Sequence, residues 1–165
     1  AQMAIQASLT GHLVLSTLHT NDAPGAIARL VDMGVQSFLL SSSLSAVLAQ
    51  RLVRTLCNNC KQGHRPNEAE AAMFRNNCPE TLYEGAGCAQ CFKTGYAGQT
   101  GIFEFMPIDD ELRQVFLKNV DSATIRGVAL SKGMKSLKDS GLEKAASGVT
   151  SLEEVIRVTH EGREP

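Results

Sequence analysis

The sequence predicts an α/β fold whose main body is interrupted by a cysteine-rich unit, and three observations carry that prediction. First, HLVLSTL (residues 12–18) is a short run with apolar residues on both faces, the pattern of a central strand covered on both sides in a mostly parallel sheet. Second, a capped helix pattern follows it at once. Third, all five cysteines fall between residues 57 and 91, and the apolar periodicity returns only after residue 97.

The elements follow in order. AQMAIQASL places Ala1, Ile5 and Leu9 at helical spacing, with Gly11 as its stop. No capping residue precedes it and there is no initiator methionine, so the chain reads as part of a longer one. After the strand at 12–18, NDAPGAIARLVDMG predicts a helix capped by Asn21 or Asp22, with Pro24 in its first turn and Gly34 closing it. SFLLSSSLSAVLAQ predicts a second, largely buried helix, and QRLVRTL a short strand leading into the first cysteines. A charged helix is expected around NEAEAAMFRNN and a strand from GQTGIFEFM. DDELRQVFLKN, DSATIRGVALSKG, SLKDSGLEKAASG and TSLEEVIRVT then read as helices, the last opened by a capping box from Thr150 to Glu153. The organisation is therefore 1–56 as a first part of the core, 57–97 as a tetracysteine metal-binding subdomain, and 98–165 as a returning strand with a helical region.

Composition narrows the function. An apolar fraction of 43% and a charged fraction of 20% belong to a folded globular chain. Sixteen basic residues balance seventeen acidic ones, which gives no general attraction to nucleic acid or anionic membrane. The cysteine unit itself has few basic residues (Lys61, Arg65, Arg75, Lys93) and little aromatic interleaving, so nucleic acid is not an expected partner. The longest weakly polar stretch, FLLSSSLSAVLA, is too short and serine-rich to span a bilayer. No secretory signal opens the chain, and paired cysteines suit a reducing compartment, so the expected location is the cytoplasm.

The cysteine spacing is the sharpest local signal. CNNC (57–60) and CAQC (88–91) are two Cys-x-x-Cys knuckles separated by 27 residues. Each can place two thiolates on one ion, so Cys57, Cys60, Cys88 and Cys91 are candidate ligands of a closed, structural zinc site. Such a site contributes roughly 10–16 kcal/mol of apparent binding energy, ample to order a small glycine-rich subdomain. Disulfides are the other reading, disfavoured by a reducing compartment. Cys78 has no pair and reads as a free thiol. Of the histidines, His12 suits a satisfied core or boundary side chain, His64 is a conceivable stray ligand and His160 lies in the tail. His19 ends the predicted strand among Ser16, Thr17, Thr20 and Asn21, where strands of an α/β sheet face a ligand crevice. A phosphate or water contact and a structural hydrogen bond both fit it. No G-x-x-x-x-G-K-[ST] loop occurs in the 165 residues.

Five blocks in fixed order carry a resemblance: AIQASLTGHLVLSTLHTNDA, FLLSSSLSAVLAQRLVRTLC, the two cysteine pairs, KTGYAGQTGIFEFM and SGVTSLEEVIRVT. Together they resemble the ATPases of the type II secretion and type IV pilus assembly superfamily over essentially residues 1–160. The resemblance implies the C-terminal portion of a RecA-like P-loop ATPase domain, with a small zinc-binding subdomain and a C-terminal helical bundle. The phosphate loop, the acidic box and the Walker B glutamate would lie upstream. GHLVLSTLHTN matches the family's His box, which implies His19 as the catalytic residue reaching the γ-phosphate or the attacking water. Thr17, Arg29, Arg51 and Arg54 become candidates for nucleotide or intersubunit contacts, although a salt bridge suits each arginine as well. The implied parent is a homo-hexamer using ATP and Mg, peripheral at a bacterial inner membrane, that moves a platform protein to add pilin or pseudopilin subunits. The cysteines match the insert of assembly and export members, which retraction motors generally lack. The alternative is a non-catalytic, zinc-stabilised module docking to that platform protein.

Overall fold

The computed structural model describes residues 1–74, 77–118 and 121–160. Arg75 and the last five residues of the helical region expected over 98–165 lie outside the described residues. The chain divides into two compact units. One comprises Ala1–Ala49 with Glu104–Ser136, the other Gln50–Phe103 with Leu137–Pro165. Helices and strands are both present, as the sequence predicts.

In the first unit, α1 (Gln2–Leu9), α2 (Ala23–Asp32) and α3 (Ser37–Ser43) precede the strands, and α5 (Asp110–Lys118) and α6 (Ser122–Ser131) follow them. The α2 helix starts where the sequence says. Asp22, extended at φ −157°, accepts the Gly25 N–H at 2.7 Å, and Pro24 occupies the first turn. At the other end Gly34 takes φ +85°, a left-handed turn open to glycine without strain. Ile5, Ile27, Val35, Leu40, Leu112, Phe116 and Ile125 close into one core. Asp121 caps α6 by accepting the Thr124 N–H at 2.9 Å. Helices predicted within residues 1–9, 21–34, 109–119 and 121–133 are present as Gln2–Leu9, Ala23–Asp32, Asp110–Lys118 and Ser122–Ser131.

Two expectations fail in this unit. The strand predicted at 12–18 is not formed: residues 12–20 carry no regular secondary structure. A strand exists through its neighbours' hydrogen bonds, and among the described residues no strand pairs with this run. Its side chains face water, Leu13 at 85% and Leu15 at 88% exposure. The second helix is also shorter than predicted, ending at Ser43, and AVLAQ belongs to strand β1 (Ala46–Leu56). The Ser41 and Ser42 hydroxyls donate to the Phe38 carbonyl and the Ser43 hydroxyl to the Leu39 carbonyl, offering backbone acceptors a partner other than the next helical N–H. Leu44 then turns extended, at φ −81° and ψ 125°.

β1 pairs with β4 (Tyr96–Pro107) in a two-stranded sheet. The second unit adds β2 (Lys61–His64), α4 (Glu68–Met73), β3 (Leu82–Gly85), α7 (Leu137–Ala146) and α8 (Leu152–His160). Its core is Phe74, Leu82, Leu142, Ala145, Leu152 and Val155. The α4 helix has a reciprocal cap: the Asn67 side chain accepts the Glu70 N–H at 3.0 Å, and Glu70 accepts the Asn67 N–H at 2.9 Å. The four helices after β4 are shared, α5 and α6 with the first unit, α7 and α8 with the second.

The start of α8 differs from its prediction by one residue. Ser151, not Thr150, is the capping hydroxyl and accepts the Glu154 N–H at 3.1 Å. Thr150 instead donates to the Arg54 carbonyl at 2.7 Å. Glu154 is then free to turn inward, where it is 1% exposed. It accepts from the Arg54 backbone N–H at 3.0 Å, from the Arg54 guanidinium at 2.6 Å and from both ends of the Arg157 fork at 2.8 and 2.9 Å. Burial alone would push this carboxyl up. The hydrogen bonds from Arg157 and then Arg54 outweigh it and hold the group down to about 2.

A carboxyl held low stabilises the fold fully above its ordinary value near 4.5, and that contribution is lost as pH falls through about 2. Glu154→Ala should cost about 3 kcal/mol in urea unfolding at pH 7, because it strands Arg54 beside α8. The wild-type chain should lose stability between pH 4.5 and 2 more steeply than the variant. Equal acid sensitivity of the two would show that the Glu154 carboxyl is not held below its ordinary value in the folded protein.

Candidate functional site

The two knuckles are brought together by strand register. β2 leaves the first knuckle, β3 leads to the second, and they pair antiparallel with Lys61 opposite Gly85 and His64 opposite Leu82. The pairing continues as the Ala86 N–H donates to the Cys60 carbonyl at 3.0 Å. Each end of the 27-residue insert is therefore tied to the other, with α4 between them. The second knuckle is a single 3-10 turn, Ala89–Cys91, followed by Phe92 and Lys93 at φ 52° and 61°. Two consecutive left-handed non-glycine residues are uncommon. The Lys93 N–H donating to the Cys88 carbonyl at 2.8 Å holds them. Gly95 (φ +80°) follows, and a Cβ there would lie 2.6 Å from the Gly85 carbonyl oxygen, so only glycine lets the two backbones meet. Its own carbonyl accepts the Cys57 N–H at 2.9 Å, closing the loop onto the first knuckle.

This geometry gathers the sulfurs of Cys57, Cys60, Cys88 and Cys91 within 4.8 Å of one another. The Sγ–Sγ separations are 3.9 Å (57 to 88), 3.8 Å (60 to 91) and 3.7 Å (88 to 91). Four thiolates 2.3 Å from a tetrahedral zinc-sized ion are spaced about 3.8 Å apart. The cluster therefore fits a four-sulfur metal site, and all five cysteines, Cys78 included, are free thiols. N–H groups already point at the sulfurs: Cys88 N–H and Gly95 N–H donate to Cys91 Sγ at 3.2 and 3.3 Å, and the Asn59 amide to Cys88 Sγ at 3.3 Å. Such donors orient and stabilise thiolate ligands. The Cys88 backbone N–H chiefly holds the Cys91 thiol down to about 6, and the Asn59 amide chiefly lowers Cys88. Burial pushes Cys60 up to about 12. His64 is occupied elsewhere, its Nε2 lying 3.1 Å from Glu70 Oε1, and is not one of the clustered ligand groups.

His19 lies on the exposed 12–20 segment together with Thr17, which is also exposed. Thr20 donates to the Asp22 carbonyl at 3.2 Å, so the segment becomes fixed only as it enters α2. His12 is exposed rather than in the core, its Nδ1 3.2 Å from Thr10 Oγ1 and 3.3 Å from the Ala7 carbonyl. Arg54 is committed to Glu154 and stacks 4.0 Å from the Tyr96 ring centre, the salt-bridge alternative the sequence allowed. Arg29 is exposed in the last turn of α2, and Arg51 sits half-buried on β1. The sequence reading missed Glu104, whose carboxylate accepts the Ala23 N–H at 2.8 Å from a position 1% exposed. The signal was there. Ile102, Glu104 and Met106 alternate on one face of β4, and a carboxylate between two buried apolar residues needs a partner.

A family model described as "Type II/IV secretion system protein" matches residues 1–157. The chain belongs to that family. Among curated relatives it is 51% identical to the type II secretion system protein E of Pseudomonas aeruginosa, over 98% of this chain and 32% of that protein. It is 48% identical to the type II secretion system ATPase E of Vibrio cholerae, again over 98% of this chain and 32% of the relative. It is likewise 48% identical to the type IV pilus assembly ATPase TfpB of Acinetobacter baylyi, over 96% and 28%. The chain thus spans about a third of the length of these relatives. In fold it is similar to the pilus retraction motor PilT bound to ADP, with a TM-score of 0.62 at 19% identity over 95% of this chain and 35% of that one. The Legionella pneumophila ATPase DotB follows at 0.61 and 17%, over 97% and 35%. Among the described residues no helix is long and apolar enough to cross a membrane.

The sulfur geometry makes a direct prediction. The purified chain should carry one divalent metal ion, read by elemental analysis, and stripping it with a chelator should lower the thermal midpoint by roughly 10 °C or more. Cys60→Ser should bind substoichiometric metal and respond little to chelator. A metal-free, equally stable wild-type chain would refute the site.

Proposed function

We propose that this chain is the C-terminal part of the RecA-like motor domain of an ATPase that powers type II secretion or type IV pilus assembly. Membership of the secretion family, with relatives named as ATPases at about half identity, supports this reading most strongly. The parent would work as a homo-hexamer at the cytoplasmic face of a bacterial inner membrane, acting on a platform protein to add pilin or pseudopilin subunits. The boundaries 1–56, 57–97 and 98–165 serve as its functional parts: core with the His box, metal subdomain, and returning strand with helices.

ATP with Mg, when bound in the parent, supplies the phosphoryl group and the charge that must be neutralised. The residues here would act around it. His19 is the group we assign to the terminal phosphate or the attacking water, donating through one ring nitrogen or accepting through the other. Its freedom on an exposed segment fits a side chain that must meet a ligand rather than a core. Thr17 and the exposed Arg29, with Arg51, remain the residues we place near nucleotide or a neighbouring subunit. Positioning and charge stabilisation dominate phosphoryl transfer, so His19 should matter more to turnover than to binding. Zinc in the four-cysteine site would be structural: four thiolates leave no position for water, and the ion cross-links the two knuckles.

A second reading, a zinc-stabilised docking module, is favoured by Phe92, which stands 88% exposed at the tip of the second knuckle. Steady-state ATP turnover separates the two. In the full-length parent, His19→Ala should lower kcat by about 100-fold while nucleotide affinity stays within about two-fold. Undiminished turnover would remove His19 from the chemistry, and a full-length wild type without ATPase activity would favour the docking module. The 165-residue chain by itself, having no phosphate loop, should not turn over ATP.

A further inference from the structure

The start of α2 is built in an unusual way. Its first backbone N–H, that of Ala23, is donated at 2.8 Å to Glu104 Oε1, a side chain from β4 81 residues away. The Gly25 N–H goes to Asp22 Oδ1 at 2.7 Å. The Arg126 guanidinium of α6 joins the two carboxylates: it hydrogen-bonds Asp22 Oδ2 and stands 3.7 Å from Glu104 Oε2. Three elements distant in sequence therefore meet at Asp22, three residues after His19.

A helix start leaves four N–H groups without intrahelical partners, and the Asp22 side chain satisfies that of Gly25. Glu104 is an addition that carries a penalty, since taking a carboxylate out of water costs several kcal/mol unless it is paired and hydrogen-bonded. The backbone it fixes is that of Ala23, itself fully buried, and with it the exit of the 12–20 segment. Upstream, that segment has no secondary structure of its own, and the Thr20 hydroxyl is bonded to Asp22. The anchor at residues 22 and 23 is thus the nearest rigid point from which His19 extends.

We propose that Glu104, Arg126 and Asp22 form a positioning network for His19, with Glu104 and Arg126 setting where the imidazole stands without touching the nucleotide. The proposal rests on the assignment of His19 above. Glu104→Gln keeps the shape and an acceptor oxygen but removes the charge that holds Arg126. Arg126→Lys keeps the charge but cannot span both carboxylates.

The test is a double-mutant cycle in the full-length parent, well below its thermal midpoint, measuring kcat and KM for ATP. Glu104→Gln should lower kcat by about ten-fold with KM within two-fold, because small misplacement of a catalytic group costs rate rather than binding. In the His19→Ala background the same substitution should lower kcat no further, since the group it positions is gone. A purely structural role would give the same fold-loss in both backgrounds, and that result, or an unchanged kcat in the wild-type background, overturns the proposal. If Glu104→Gln fails to fold, Arg126→Lys is read by the same cycle. Should His19→Ala alone retain full turnover, the assignment of His19 fails first, and the network falls with it.

Discussion

Backbone hydrogen-bonding groups removed from water must find partners, and this requirement decides most of what the chain does. Where a partner is at hand, order follows. β2 and β3 pair, and the pairing delivers four sulfurs to one place. The Arg54 N–H and the Ala23 N–H each find a buried glutamate, Glu154 in one unit and Glu104 in the other. Where no partner is at hand, as at residues 12–20, an apolar sequence of good strand character stays open to solvent. Hydrophobicity alone does not make a strand.

The two buried glutamates are used alike. Each accepts a backbone N–H that no ladder or helix satisfies, and each is balanced by arginine rather than lysine. The planar fork can serve two acceptors at once, as Arg126 does with Asp22 and Glu104. The difference lies in what is fixed. Glu154 ties the end of β1 to α8 beside the first knuckle, in the unit that carries the four-cysteine cluster. Glu104 ties β4 to the beginning of α2, in the unit that carries His19. A carboxylate in either place would be a liability without its arginine, so each marks a point where the backbone must not move.

The sequence was legible where one local pattern settles the outcome. The cap at Asp22, the stop at Gly34 and the knuckle spacing of Cys57, Cys60, Cys88 and Cys91 each depend on a few adjacent residues, and the structure contains them. It was misleading where long-range partners decide. HLVLSTL has the pattern of a covered strand, but pairing depends on chain far from it in sequence. SFLLSSSLSAVLAQ looks helical throughout, yet the serine hydroxyls and the pairing of β1 with β4 divide it at residue 44. The shift of the α8 cap from Thr150 to Ser151 arose because Thr150 had a better use, bonding Arg54 across 96 residues. Glu104 was visible as an acidic residue on an inward face, but its partner Arg126 was not, for nothing in either local pattern points to the other.

An exposed carrier and a fixed anchor are complementary requirements for any group that must meet a solvated ligand. An imidazole locked into a core could not adjust to a ligand that arrives and leaves, and one on a segment with no fixed end would spend its binding energy on becoming ordered. The segment bearing His19 is open over its length and bounded by α1 on one side and by the doubly capped start of α2 on the other. The apolar residues Leu13 and Leu15 lie on its first half, and the polar Ser16, Thr17, His19 and Thr20 on its second. Its first half is suited to be gripped by neighbouring strands, its second to meet a solvated ligand. His19 thus stands between the part that needs partners and the part that already has them.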